Sequence, residues 1–193
     1  MYTQSFTTTI GTKTITADIT DLTAQANGSV LMRMGETAVL VTAVMSDTPS
    51  SAPFLPLSVE FEEKFYAAGA ILGSRFGRRE GRPSEEAVLA ARMIDRTIRP
   101  LFNKQLGHEV QIVVSVLALG EDDPDILGMI GASLALAISD IPWDGPIGTV
   151  RIGQSKTTGD ILLNPTYRER EPGALTFEVL ACGKAGAINM IET

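Results

Sequence analysis

Four arginines fall within eight positions, Arg75, Arg78, Arg79 and Arg82, in the glycine-rich stretch GSRFGRREGRPSEE at residues 73–86. Arginine at this density suits a phosphate ligand. Its guanidinium is planar, stays charged at any working pH and donates two parallel hydrogen bonds. Gly69, Gly73, Gly77 and Gly81 let the backbone approach a ligand and take positive φ. Phe76, inside the cluster, offers a ring on which a base can stack. Arg92, Arg96 and Arg99 follow at spacings of four and three, which puts them on one face of a helix. Between Arg75 and Lys104 eight basic residues stand against four acidic ones, so this window carries +4 in a chain of formal net charge −7. The average charge opposes nucleic acid. The local field, screened beyond about 8 Å, does not. Two readings stand at this level: a phosphate-bearing ligand such as RNA, or internal pairing with Glu80, Glu85 and Glu86.

Other residues offer less. Asp123 and Asp125 flank Pro124 and suit either a cation or the exposed N–H groups of a helix start, with capping the favoured reading. His108 beside Glu109 resembles an acid/base pair, but no nucleophile is near in sequence, and a strand start is the simpler account. Cys182 has only Lys184 close by and reads as a structural thiol. Trp143, between Pro142 and Asp144-Gly145-Pro146, reads as turn packing. One cysteine excludes an internal disulfide and fits a reducing cytoplasm. One histidine and one cysteine leave no zinc cluster of those ligands. No apolar run reaches the length of a membrane span.

The elements that must position the arginines are legible. FTTTI and KTITADI alternate about a Gly11-Thr12 turn, and SVLMRMGETAVLVTAVMS is a hairpin turning at 34–37. PLSVEFEEKF is a further strand, with Leu57, Val59 and Phe61 on one face. Ser84 to Arg99 has helical spacing, with Val88, Leu89, Met93, Ile94 and Ile98 as the apolar stripe, the arginines opposite much of it and Pro100 as its stop. Residues 110–119 form an interior strand. A second helix starts at Asp123-Pro124-Asp125, carries Gly128, Gly131, Ala132 and Ser133 for close packing, and stops at Pro142. Short strands follow near 147–153 and 160–163, then a hairpin turning at 183–186. Strands, helix, strand, helix and strands give an α+β fold of mixed β-sheets packed with helices, in two-layer units of β-β-α-β-α-β type.

EGRPSEE, then ARMIDRTIRPLF, DPDILGMIGASLAL and IPWDGPIG, resemble the polynucleotide phosphorylase family, specifically the first of its two RNase PH-like domains. YAAGAILGSRFGRREGRPSE corresponds to the family's arginine-loop segment, and Asn164-Pro165-Thr166 also fits. The resemblance implies an RNase PH-like fold over residues 1–193, as one domain of a longer chain that ends here on a strand. It implies phosphorolysis of single-stranded RNA from its 3′ end with release of nucleoside diphosphates, in a cytoplasmic homotrimer around a pore that can join an RNA-decay complex. Phe76, Arg78, Arg79 and Arg82 would be the loop that grips RNA, with Arg92, Arg96 and Arg99 as further contacts. The family's loop has two aromatics directly before the paired arginines; here the run Arg75-Phe76-Gly77-Arg78-Arg79 is one residue longer and has one ring.

Catalysis in the family belongs to the second domain, where a serine-rich turn holds inorganic phosphate and two aspartates and a lysine hold magnesium. The corresponding positions here are Asp123-Pro124-Asp125 and Arg170, Thr176 and Glu178. Carboxylates repel an anion, and no carboxylate pair remains for a metal. The expectation is an RNA-binding, non-catalytic domain, with phosphate and magnesium held elsewhere in the parent enzyme. The competing expectations are a scaffold for ring assembly and a self-sufficient phosphorylase.

Overall fold

The computed structural model describes residues 3–71 and 82–193. Among these residues, strands β1 (Thr3–Ile10), β2 (Lys13–Thr20), β3 (Gly28–Met34), β4 (Thr37–Pro49) and β5 (Leu57–Glu62) precede α1 (Glu85–Ile98). Then come β6 (His108–Ala118), α2 (Pro124–Ala137), β7 (Gly148–Ser155), β8 (Ile161–Leu163), β9 (Leu175–Lys184) and β10 (Ala187–Glu192). One sheet has six strands in the order β1-β2-β3-β4-β6-β5; the other has four, β10-β9-β7-β8. Every pairing is antiparallel except β5 with β6. A parallel pair needs a crossover, and α1 is that crossover. The arginine-rich stretch therefore lies on the connection leaving β5, where chain must travel from sheet edge to helix start. The mixed-sheet α+β class is the one expected, and the helices form a layer between the two sheets.

Inward positions alternate as a pleated strand requires. Val39, Val41 and Ala43 of β4 and Val110, Ile112 and Val114 of β6 are completely buried. They pack against α2, whose Ile126, Leu127, Met129, Ala132 and Leu136 are also buried, while Leu180, Cys182 and Met190 close its far side. A helix apolar on nearly every side belongs between two layers. Glycines permit the approach: a Cβ on Gly28 would stand 2.0 Å from the Ala135 carbonyl oxygen, and one on Gly131 would stand 2.6 Å from Val41 Cγ2. Backbone cannot yield as a side-chain tip can, so Gly28→Ala is expected to cost about 3 kcal/mol, the upper end of overpacking. Gly148→Ala, with open space at its Cβ, is the control, expected within about 0.5 kcal/mol. Urea titration followed by circular dichroism measures both.

Two expectations are corrected. The buried face of α1 is Ala87, Ala90, Ile94, Thr97 and Ile98; Val88 and Leu89 are exposed. Small residues face β5 because the helix lies close to the sheet, so side-chain hydrophobicity alone misplaced the stripe. α2 ends at Ala137, well before Pro142, where Ser139 N and Ser139 Oγ both turn back onto the Leu136 carbonyl. Pro100 does end α1, lying in a single 3-10 turn at Arg99–Leu101. Trp143 packs as expected, donating from Nε1 to the Ile98 carbonyl at 3.1 Å. His108 opens β6 and contacts the Ser46 carbonyl through Nδ1 at 2.8 Å.

Candidate nucleic-acid interface and a closed ion network

The helix that carries the arginines is fixed at its start by Ser84. Its Oγ accepts from Ala87 N at 2.9 Å and donates to Glu63 at 2.6 Å, tying α1 to the end of β5. Phe76, Arg78 and Arg79 lie outside the described residues. Arg82, Arg92 and Arg96 line one cavity of about 1060 Å³ between α1 and β5, with Phe61, Ala87 and Val116 among its apolar walls. Five carboxylates lie beside it, and four are engaged: Glu62 with Lys64 at 3.2 Å, Glu60 with Gln111 at 3.0 Å, Glu63 with Ser84 and Asp95 with Arg99; Glu86 is exposed and has no partner among the described residues. Arg82 and Arg92 are exposed, and among the described residues neither has an ion-pair or hydrogen-bond partner. Arg96 pairs with Glu192 at 3.0 Å, both about half exposed. Such a pair contributes little and yields readily to a phosphate.

Arg99 is placed differently. Its Nε and Nη2 grip Asp95 at 2.8 and 2.5 Å, and it also donates to the carbonyls of Leu57 at 3.1 Å and Leu55 at 3.4 Å. The hydrogen bonds it donates to Asp95 hold the guanidinium pKa above its ordinary value, against the effect of burial. The fork that was expected to meet RNA is occupied in joining α1 to the start of β5.

A second cluster gathers at the α2 N-terminus. Asp123 caps the helix, accepting from Asp125 N at 2.9 Å, as expected. Arg151, on the inward side of β7 and only 10% exposed, contacts Asp123 at 2.8 Å and also Glu178 on β9. Arg170 contacts Asp123 at 2.9 Å and Glu178 at 2.8 Å. Two carboxylates and two guanidinium groups thus form a closed square. Burial opposes charge on Glu178, but Arg170 and Arg151 keep its pKa below the usual value. Burial likewise opposes charge on Arg170, and its hydrogen bond to Glu178 with the field of Asp123 raises its pKa.

This arrangement does not fit phosphate or magnesium. An anion entering the α2 N-terminus would meet Asp123, and a cation would have to displace guanidinium from both carboxylates. Among the described residues no group of three or more acidic, His or Cys side chains is placed to hold a metal ion. Thr176 is exposed on β9. Cys182 is buried against Thr149 and Met129, a structural thiol as expected.

Asp125 stands at the edge of the square, 4.0 Å from Arg151. Burial, followed by repulsion from Asp123, pushes its carboxyl up to about 7, with Arg151 and Arg170 offsetting part of this and Glu63 adding to it. The unfolded group titrates near 3.8. Its contribution to stability is therefore fully present below pH 4 and lost as pH rises through 7. Asp125→Asn is expected to flatten the stability curve between pH 4 and 7 and to stabilise the chain at pH 8 by about 1–3 kcal/mol. Denaturant melts across that range decide it; parallel curves for the two proteins would contradict it.

Sequence reading missed Arg151 and Tyr167. The signal for Arg151 was present, since Thr149, Arg151 and Gly153 alternate inward on β7; a charge at such a position demands partners. Tyr167 gave no signal beyond its place after Asn164-Pro165-Thr166.

Residues 12–142 match the family described as 3′ exoribonuclease family, domain 1. The chain is 47% identical over 190 residues to a polyribonucleotide nucleotidyltransferase of Exiguobacterium sibiricum, covering 98% of this chain and 25% of that protein. It is 56% identical over 169 residues to one of Thermus thermophilus, covering 87% and 23%. For one of Deinococcus radiodurans the identity is 47% over 190 residues, covering 98% and 24%. The chain thus spans about a quarter of the length of these relatives. With the match extending over most of its length and the arginine-bearing crossover inside it, the chain belongs to the 3′ exoribonuclease family, as its domain 1.

Proposed function

We propose that this chain is the RNA-guiding, non-catalytic first domain of a polyribonucleotide nucleotidyltransferase that degrades RNA 3′ to 5′ by phosphorolysis. The observation that carries the reading is the contrast between two sets of arginines. Among the described residues Arg82 and Arg92 have no partner and share one rim with the loosely paired Arg96, ready for phosphates. Arg151 and Arg170 are closed onto Asp123 and Glu178, where a catalytic domain would need an open phosphate and metal site. Phe76, Arg78 and Arg79 extend the rim in sequence, and Arg99 supports it. In this reading RNA passes along the rim to a second domain that holds inorganic phosphate and magnesium and releases nucleoside diphosphates. The parent enzyme would be a cytoplasmic homotrimer, open to a larger RNA-decay complex. Among the described residues no helix is long and apolar enough to cross a membrane.

The test is to mix the chain with labelled single-stranded RNA, magnesium and orthophosphate. Binding without release of nucleoside diphosphates is expected. Phosphate-dependent release would establish a self-sufficient phosphorylase and overturn the reading. An assembly role is favoured by one observation, the exposed Ile188 and Ile191 on edge strand β10; sizing chromatography of the chain separates monomer from ring.

A further inference from the structure

The cavity beneath the basic rim has a feature that binding of a bare phosphate backbone does not use. Tyr167 lines it together with Arg82, Arg92 and Arg96. One face of the Tyr167 ring is covered by the Arg170 guanidinium, 5.8 Å from the ring centroid, yet the residue stays 44% exposed. Its backbone is fixed, N–H donating to the Glu121 carbonyl at 2.9 Å, and Arg170 behind it is locked in the ion square. The ring is thus a rigid, half-open aromatic plate backed by a cation. Burial and the neighbouring Asp123 and Asp125 push its phenol well above the ordinary value, so it remains neutral and does not repel a polyanion.

We infer that this cavity holds one nucleotide unit of a single-stranded RNA, with the base stacked on Tyr167 and the adjoining phosphates on Arg82 and Arg92. This deepens the RNA-guiding reading above and rests on it. Charge complementarity selects the ligand, because Arg82 and Arg92, without partners among the described residues, match phosphates, and the apolar wall with its aromatic plate matches a base. The space is ample: ligand cavities commonly run to about 300–1,000 Å³, and this one is about 1060 Å³. Stacking is tolerant of base identity, as a domain that passes any RNA sequence requires.

The test compares an eight-nucleotide oligoadenylate with an abasic ribose-phosphate oligomer of equal length, by fluorescence anisotropy at one salt concentration. Tyr167→Leu keeps apolar bulk without a stacking face and is paired with Tyr167→Phe, which keeps the face. Thermal melts confirm that both fold. Leucine is expected to weaken oligoadenylate binding about tenfold, phenylalanine to leave it within twofold, and neither to change binding of the abasic oligomer. Free 5′-AMP, with one phosphate, should bind far more weakly than the strand. AMP binding as tight as the octamer would overturn the strand assignment. Oligoadenylate affinity unchanged by leucine, but lost with Arg82→Ala and Arg92→Ala, would sink the base plate and leave the RNA-guiding reading standing. No effect from either set would sink both.

Discussion

Arg151→Ala is expected to lower the stability of the chain by about 3–5 kcal/mol. Taking one partner from a buried ion pair leaves the other charge desolvated and uncompensated. Here the loss is shared by two carboxylates. Asp123 is only 3% exposed, and Arg170 alone would have to serve both it and Glu178. The comparison is Arg168→Ala, which removes a pair to Glu121 at 3.3 Å whose side chains are 77% and 61% exposed; such a pair contributes about 0–1 kcal/mol. Guanidinium chloride unfolding at pH 7.5 distinguishes the two. An Arg151 effect no larger than that of Arg168 would mean that the square is solvated. It would also remove the argument that the α2 N-terminus is closed to phosphate.

The second large effect concerns RNA. The variant with Arg82, Arg92 and Arg96 all changed to alanine is expected to bind single-stranded RNA on the order of 100-fold more weakly at low salt, as three charge-assisted phosphate contacts disappear. Stability should hardly change, because Arg82 and Arg92 have no partner among the described residues to strand and the Arg96–Glu192 pair is exposed. Arg99→Ala should behave in the opposite way. It leaves Asp95 and the Leu57 carbonyl without this donor, while the Leu55 carbonyl keeps Leu57 N, so stability falls by about 1–3 kcal/mol. Filter binding and thermal melts on the same preparations separate the two classes of arginine.

Why the two classes were merged at the sequence level is a matter of distance along the chain. Spacing of four and three places Arg92, Arg96 and Arg99 on one helix face, and it does so correctly. Spacing says nothing of what lies across from that face. The Leu55 and Leu57 carbonyls that hold Arg99 are more than 40 positions away in sequence, brought there by the β5–α1–β6 crossover. The same limit explains the ion square. Asp123, Arg170 and Glu178 were singled out because they stand at positions where chemistry belongs in related domains. Arg170 bridges Asp123 and Glu178 directly, and Arg151 completes the square only once β7 pairs with β9. Strands and caps were legible because their causes are local: alternation in β4, proline at the first turn of α2 and an aspartate cap before it. The α1 stripe was not, because alanines pack closest to a sheet and carry little weight in a hydrophobicity pattern.

In the proposed reading, Arg82 and Arg92, without partners among the described residues, and the loosely paired Arg96 carry an RNA strand through its phosphates. The most direct measurement is the salt dependence of the binding constant for a single-stranded oligonucleotide, with the chain and with the Arg82, Arg92 and Arg96 variant. Five phosphate-binding arginines, Arg78 and Arg79 included, predict a slope of log K against log salt of about −3.5, and the variant should retain about −1.4. A slope near zero, or one that the three substitutions leave unchanged, would contradict the account.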